Sequence, residues 1–385
     1  MFRICKQSLK LRLKNCLVKF FKLENVAALV LLVAAVCGFA AANWFAAAHQ
    51  VAAIFDFEHP DLPVTLRFVV VTIGLSGFFF LVGTELKREL THGMFAERRR
   101  LVPPLAAATL GVLIPAVAYL AITRGDVGSN GWAIPTATDL TFSLAVFNLF
   151  GSWLGSRARL FLLAFAVIDD VIAVLLVTFL FSAKPNLLFL FLALVCAAVF
   201  ALSQAMGSRW VFFLGLPAWL AAVIFTQTSG IEAALMAVWL GLLVPAERTV
   251  TVERRIHPYV VYLALPLFAF QATATQLGAV AFGAVFVGIA VRPVTKFFGL
   301  TLGGFLGSLA LPRAERLGIN VIARVAALGG IGFTVAMLVA DLSFAKQPQL
   351  HQQAVAGTFV AAGASMLLGA MALVAGHRSK ATDGA

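Results

Sequence analysis

The chain has 385 residues, 61% apolar and only 12% charged, about half the ~25% charge content usual for a soluble domain. It carries a formal net charge of +12, a pI near 10.1 and a mean hydropathy of +0.97. A chain of this size cannot bury so much apolar surface in its own core. Its solvent is lipid, which excludes a soluble enzyme, a disordered chain and a DNA-binding domain.

In chain order, residues 1–25 form a basic segment. Arg3, Lys6, Lys10, Arg12, Lys14, Lys19 and Lys22 alternate with Ile4, Leu9, Leu13, Leu17 and Phe20. The pattern predicts a basic amphipathic helix on an anionic leaflet, with a disordered basic tail as the alternative. The basic run is too long for a cleavable signal. About twelve stretches then have the length and apolarity of a membrane-crossing helix: 26–44, 64–86, 101–123, 133–150, 160–182, 187–206, 211–227, 231–245, 256–275, 279–309, 319–344 and 351–376. The seventh and eighth are short and separated only by Gln227–Gly230, as half-length or tilted segments would be. The expected architecture is an all-α polytopic membrane protein: one transmembrane domain over 26–376, without soluble insertions, and a cytoplasmic tail over 377–385. Cys5, Cys16, Cys37 and Cys196 have neither disulfide nor zinc-ligand spacing.

Counted against this alternation, 23 of the 29 Lys and Arg residues fall on one side of the membrane, among them Lys87, Arg88, Arg98, Arg99, Arg100, Arg254 and Arg255. The other side holds Arg67, Arg124, Lys184 and Lys346. The positive-inside rule puts both termini in the cytoplasm and supports an even number of spans. It also accounts for the high pI without nucleic acid.

Some charges remain inside the membrane: Arg292 and Lys296 in span ten, Asp139 in span four, Asp169 and Asp170 in the middle of span five, and Glu232 at the start of span eight. Each charge at mid-membrane costs roughly 2.5–3.5 kcal/mol on insertion scales, so such residues mark ion or proton pathways. Adjacent helical residues point about 100° apart and cannot share one proton. One aspartate can face an ion cavity while the other faces a partner helix, with Arg292 as the natural counter-charge.

Span four is interrupted at Trp132-Ala133-Ile134-Pro135-Thr136-Ala137-Thr138-Asp139, where a proline and small or polar residues free backbone groups. Freed carbonyls and Thr138 can coordinate a cation, and Asp139 can offset exposed helix ends. Span eleven has a second weak point, Gly329-Gly330-Ile331-Gly332-Phe333-Thr334. The two lie seven spans apart, hence in opposite orientation. That predicts inverted repeats over spans three to five and ten to twelve, with two interrupted helices crossing at the midplane.

These residues resemble the NhaA-type sodium/proton antiporters over nearly the whole chain after about residue 24. The family is among those in which inverted repeats and broken helices are the known pattern, so that agreement is not independent. The likeness is carried by Phe80-Leu81-Val82-Gly83-Thr84-Glu85-Leu86-Lys87-Arg88-Glu89-Leu90, Gly131-Trp132-Ala133-Ile134-Pro135, Ala137-Thr138-Asp139 and Ala166-Val167-Ile168-Asp169-Asp170. His257-Pro258, Leu265-Pro266-Leu267-Phe268-Ala269-Phe270 and Gly330-Ile331-Gly332-Phe333-Thr334 match as well. The resemblance implies that Asp170 binds sodium and exchanges it for a proton, and that Asp169 is the second essential acid, held by a basic residue of span ten. It implies helix-end compensation by Asp139 beside Thr138, and a cytoplasmic pH-responsive cluster of Glu85, Glu89, Glu253 and His257. It also implies a homodimer and the bacterial inner membrane.

The chain departs from the family at Arg292-Pro293, where the family has Lys-Pro, at Glu232, where it has His, and at Gln271-Ala272-Thr273. Arginine keeps its charge and does not release a proton. Lys296, one turn on, is the alternative counter-charge. The expected function is Na⁺ or Li⁺ extrusion in exchange for protons, driven by the proton gradient, without cofactor or enzymatic chemistry; no GxxxxGK[ST] phosphate loop is present. The rival readings are a non-transporting ion or pH sensor and a sodium-coupled symporter on the same architecture. An intramembrane aspartyl protease lacks its Gly-x-Gly-Asp signature, since Thr138 and Ile168 precede the acids.

Overall fold

A computed structural model describes residues 23–44, 48–59, 62–92, 98–125, 127–181, 186–206, 210–276 and 282–382. The basic N-terminal segment lies outside the described residues except at 23–25. The helices are α1 (Leu23–Asn43), α2 (Ala48–Phe55), α3 (Leu75–His92), α4 (Arg98–Thr123), α5 (Leu140–Val146), α6 (Ser156–Phe181), α7 (Leu187–Met206) and α8 (Leu216–Thr228). They continue with α9 (Ala233–Leu243), α10 (Ala246–Tyr259), α11 (Leu265–Thr273), α12 (Ala284–Ala290), α13 (Arg292–Ser308), α14 (Ile319–Gly329), α15 (Thr334–Ser343) and α16 (Pro348–Thr382). A small antiparallel hairpin, β1 (Glu58–His59) with β2 (Leu62–Thr65), follows α2; the hydropathy pattern gave no sign of it.

Each expected span falls on a helix or a broken helix. Seven described helices have the length and apolarity to cross a membrane unaided. Three more segments do so as pairs bent at a short break: 127–136 with 140–154 at 45°, α12 with α13 at 42°, and α14 with α15 at 50°. The first and third are the interruptions expected at Pro135 and at Gly329–Thr334. The second was missed, although its signal is present: Pro293 stands in the first turn of α13, where it cannot continue the ladder of α12. Of the two segments expected to be short, the eighth is the shorter, with only eleven residues in α9.

Helix packing is close where side chains are small. α13 lies along α4 and presents Gly299, Gly303 and Gly307 on one face. A Cβ added to Gly303 would stand 2.2 Å from the Ala106 carbonyl oxygen, and one on Gly299 2.4 Å from that of Leu110. Without a hydrophobic drive between helices in lipid, this backbone approach supplies the association. α9 packs on α3 in the same way, through Gly83 and Gly241. α11 lies on α1, and α16 closes over α12 and α14. Leu187, Phe191, Phe212, Phe213, Phe298 and Leu367 face outward, as a bundle solvated by lipid requires.

Candidate functional site

The site is built where the first and third bent segments cross. A broken helix leaves backbone donors and acceptors without intrahelical partners, and each needs one from elsewhere. Asp139 is the N-cap of α5: its Oδ1 accepts from the N–H groups of Thr141 (3.1 Å) and Phe142 (3.4 Å). Its Oδ2 accepts from the hydroxyl (2.9 Å) and N–H (3.3 Å) of Thr334, at the start of α15. One carboxylate therefore serves the two positive helix ends.

The carbonyl ends are covered just as fully. Thr138 Oγ1 donates to Gly329 O at 2.8 Å and Ser143 Oγ to Leu328 O at 3.0 Å. The Asp139 N–H donates to Ile331 O at 2.6 Å. A Cβ on Gly332 would stand 2.2 Å from Ala137 O, so the two breaks meet backbone to backbone. Thr334 and Ser143 were not picked out as site residues. Thr334 ends the glycine-rich run that marked the break; Ser143 gave no sequence signal.

Asp169 and Asp170 lie midway along the 26-residue α6, 0% and 2% exposed. Lys296 is wholly buried and bonds Asp169 Oδ2 at 2.8 Å. It also donates to Thr136 O, the carbonyl end of the short turn before the first break. The counter-charge expected of Arg292 is thus supplied by Lys296. The reason is geometric. Arg292 is the first residue of α13, level with the other break, where its Nη2 donates to Gly332 O at 2.7 Å. Lys296 is one turn further along the same face and reaches Asp169. Two carboxylate oxygens, Asp169 Oδ1 and Asp170 Oδ2, are buried without a hydrogen-bond partner, as are Arg292 Nε and Nη1.

The second group of expected residues lies at the far end of α3. Arg88 is surrounded by Glu253 of α10, with which it makes a short contact, by Glu85 at 3.4 Å and by Glu89 at 3.9 Å. His257 stands one turn beyond Glu253 on α10, exposed. Three of the four expected members therefore meet around one guanidinium. Glu232 is not joined to either group; it stands just before α9, outside the helix.

A helical bundle in which two broken helices cross beside buried carboxylates and a buried lysine is the architecture of a secondary ion transporter. The chain belongs to the NhaA family of Na⁺/H⁺ antiporters: residues 18–373 match the family described as Na+/H+ antiporter 1. It is 35% identical to Na(+)/H(+) antiporter NhaA 2 of Clavibacter michiganensis subsp. michiganensis, over 91% of this chain and 90% of the relative. It is 36% identical to NhaA 2 of Rhodococcus jostii over 85% and 84% of the two chains, and 33% identical to NhaA of Proteus mirabilis over 85% and 88%. The protein exchanges Na⁺ for H⁺ across a membrane, and buried Asp139, Asp169 and Asp170 suit that activity.

Proposed function

We propose that Asp170 is the exchanging carboxylate and that Na⁺ or Li⁺ competes with a proton for it. The observation that carries this reading is the pair of orphan oxygens on Asp169 and Asp170, which are buried and have no donor. Buried acceptors of this kind call for a partner, and burial disfavours a bare carboxylate charge. Asp170 therefore holds a proton or a cation, and not both. The Thr138 hydroxyl gives its proton to Gly329 O and keeps its oxygen lone pairs for the cation's shell.

The Lys296–Asp169 pair keeps its end of the site neutral and leaves Asp170 as the exchanging charge. It also puts a titratable amine beside the ion site, where an arginine would have held its charge permanently. Asp139 fixes the crossing, and Glu85, Glu89 and Glu253 around Arg88 form the cytoplasmic pH-responsive group, with His257 nearby. The Arg-rich side faces the cytoplasm, with both termini inside, in the bacterial inner membrane. The proton gradient drives one set of helices to rock against the other, carrying sodium out and protons in without a cofactor or an enzymatic step. The basic N-terminal segment suits an anionic lipid surface, and a homodimer is part of the reading.

The test is a pH-jump assay in everted vesicles with and without Na⁺. Wild type should move protons in a Na⁺-dependent way, and Asp170→Asn, present in the membrane in equal amount, should not, because an amide cannot alternate between proton and cation. Wild-type exchange in that variant would overturn the assignment. Na⁺ binding without proton movement in the wild type would favour a sensor.

A further inference from the structure

At the end of the bundle away from Arg88 lies an open vestibule of about 360 Å³, lined by Arg67, Gln271, Thr275, Asp341, Phe344 and His351 among others. Arg67 and Arg88 stand on one helical segment, Leu66–Thr91. Their separation of 21 residues corresponds to about 31 Å of helix, so the vestibule and the Glu–Arg cluster open on opposite faces. Within the vestibule, His351 Nε2 lies 2.6 Å from Asp341 Oδ1. The two side chains are 19% and 26% exposed, wet enough to exchange protons with the outer solution.

This pair ties two elements together. Asp341 is in the last turn of α15 and His351 in the first turn of α16. The opposite end of α15 is Thr334, whose N–H and hydroxyl are held by Asp139 at the helix crossing. Every residue from Thr334 to Ala340 is buried. α15 is therefore a rod about 15 Å long, with one end at the ion site and the other fastened in the vestibule by a histidine. Histidine is the side chain whose charge ordinarily changes between about pH 5 and 8.

The other charged groups nearby do not take its place. Arg67 is bound twice by Asp56, at 2.5 and 3.1 Å. Lys346 lies in the turn joining α15 to α16, and Arg124 precedes the turn at Val127–Gly131 that packs on α15.

We propose that His351 and Asp341 form a proton-binding site on the outer face, and that its occupancy sets how readily α15 moves in the outward step of exchange. The inference rests on the antiport and on the orientation proposed above. A proton from outer water forms the second ring N–H of His351, while the N–H on Nε2 donates to Asp341. Protonation adds the attraction of an imidazolium for a carboxylate to a hydrogen bond that the neutral ring already makes, and α15 is clamped more tightly to α16. Loss of that proton to water loosens the clamp. Acid outside therefore slows exchange even as it steepens the proton gradient that drives it, the opposite of what driving force alone predicts.

The experiment uses right-side-out vesicles loaded with radioactive Na⁺ at fixed inner pH, with the outer pH varied between about 5.5 and 8. Wild-type Na⁺ efflux should fall about fivefold from the alkaline to the acid end. His351→Gln keeps a hydrogen-bonding side chain without a titrating proton. It should abolish the acid fall, so that efflux holds or rises as the outside is acidified, and leave the inner-pH profile, read in everted vesicles, unchanged. Asp341→Asn should do the same, and Asp341→Glu should retain the wild-type outer profile. The proposal is overturned by a wild-type outer profile in both His351→Gln and Asp341→Asn. It is equally overturned if His351→Gln moves the two profiles together or only the inner one. A wild type without Na⁺-coupled exchange would instead sink the antiport reading itself.

Discussion

At the scale of single residues, the counter-charge is the instructive case. Arg292 and Lys296 are both fully buried, and motif spacing favoured the first; only the second reaches Asp169. Removing one member of a buried pair strands the other and costs roughly 3–5 kcal/mol. Lys296→Ala should therefore lower thermal stability in detergent strongly, and Asp169→Asn should restore part of the loss. Arg292→Ala should lose less, about 1–3 kcal/mol for an unpaired Gly332 carbonyl, with no rescue by Asp169→Asn. A double-mutant cycle across these positions checks the assignment, and coupling of Arg292 to Asp169 would refute it.

At the scale of elements, the close approach of backbones decides both the scaffold and the crossing. A methyl group on Gly303 would meet the Ala106 carbonyl at 2.2 Å, in the middle of the α4–α13 seam. Overpacking of this kind typically costs about 1–3 kcal/mol. Gly303→Ala should lower the melting temperature in detergent and spare ion selectivity, because Gly303 lies about two turns along α13 beyond Lys296, the residue that holds Asp169. Gly332→Ala puts its methyl 2.2 Å from Ala137 O and 3.0 Å from Arg292 Nη1, at the crossing itself. It should reduce Na⁺-dependent exchange by more than it reduces protein recovered from the membrane. Transport and yield measured side by side separate the two glycines; a Gly332→Ala carrier with full activity would show that the breaks tolerate separation.

At the scale of the whole molecule, charge sets orientation and tertiary contact sets the site. Reporter fusions after Arg100 and after Arg255 should read cytoplasmic, and one near Asp56 external; an external signal at Arg100 would reverse the molecule. Much of this architecture was legible in the chain, because lipid imposes a simple rule: about 20 apolar residues per crossing and basic residues left inside. The isolated acids were legible for the same reason, since a charge in hydrocarbon is costly and calls for an explanation. The breaks at Pro135 and Gly329–Thr334 showed as local failures of helix chemistry, and the bend at Pro293 had the same signal and was passed over. What the sequence determined by itself was the solvent, the spans and the identity of the acids, all of which depend on a residue and its neighbours in the chain. Only the tertiary structure decided that Lys296 holds Asp169, that Asp139 serves two helix ends, and that His351 meets Asp341. Lys296 and Asp169 are separated by 127 positions and Asp139 and Thr334 by 195. No local periodicity fixes the register between elements so far apart in the chain. Backbone packing at the glycine seams and the need of every freed carbonyl and N–H for a partner fix it instead.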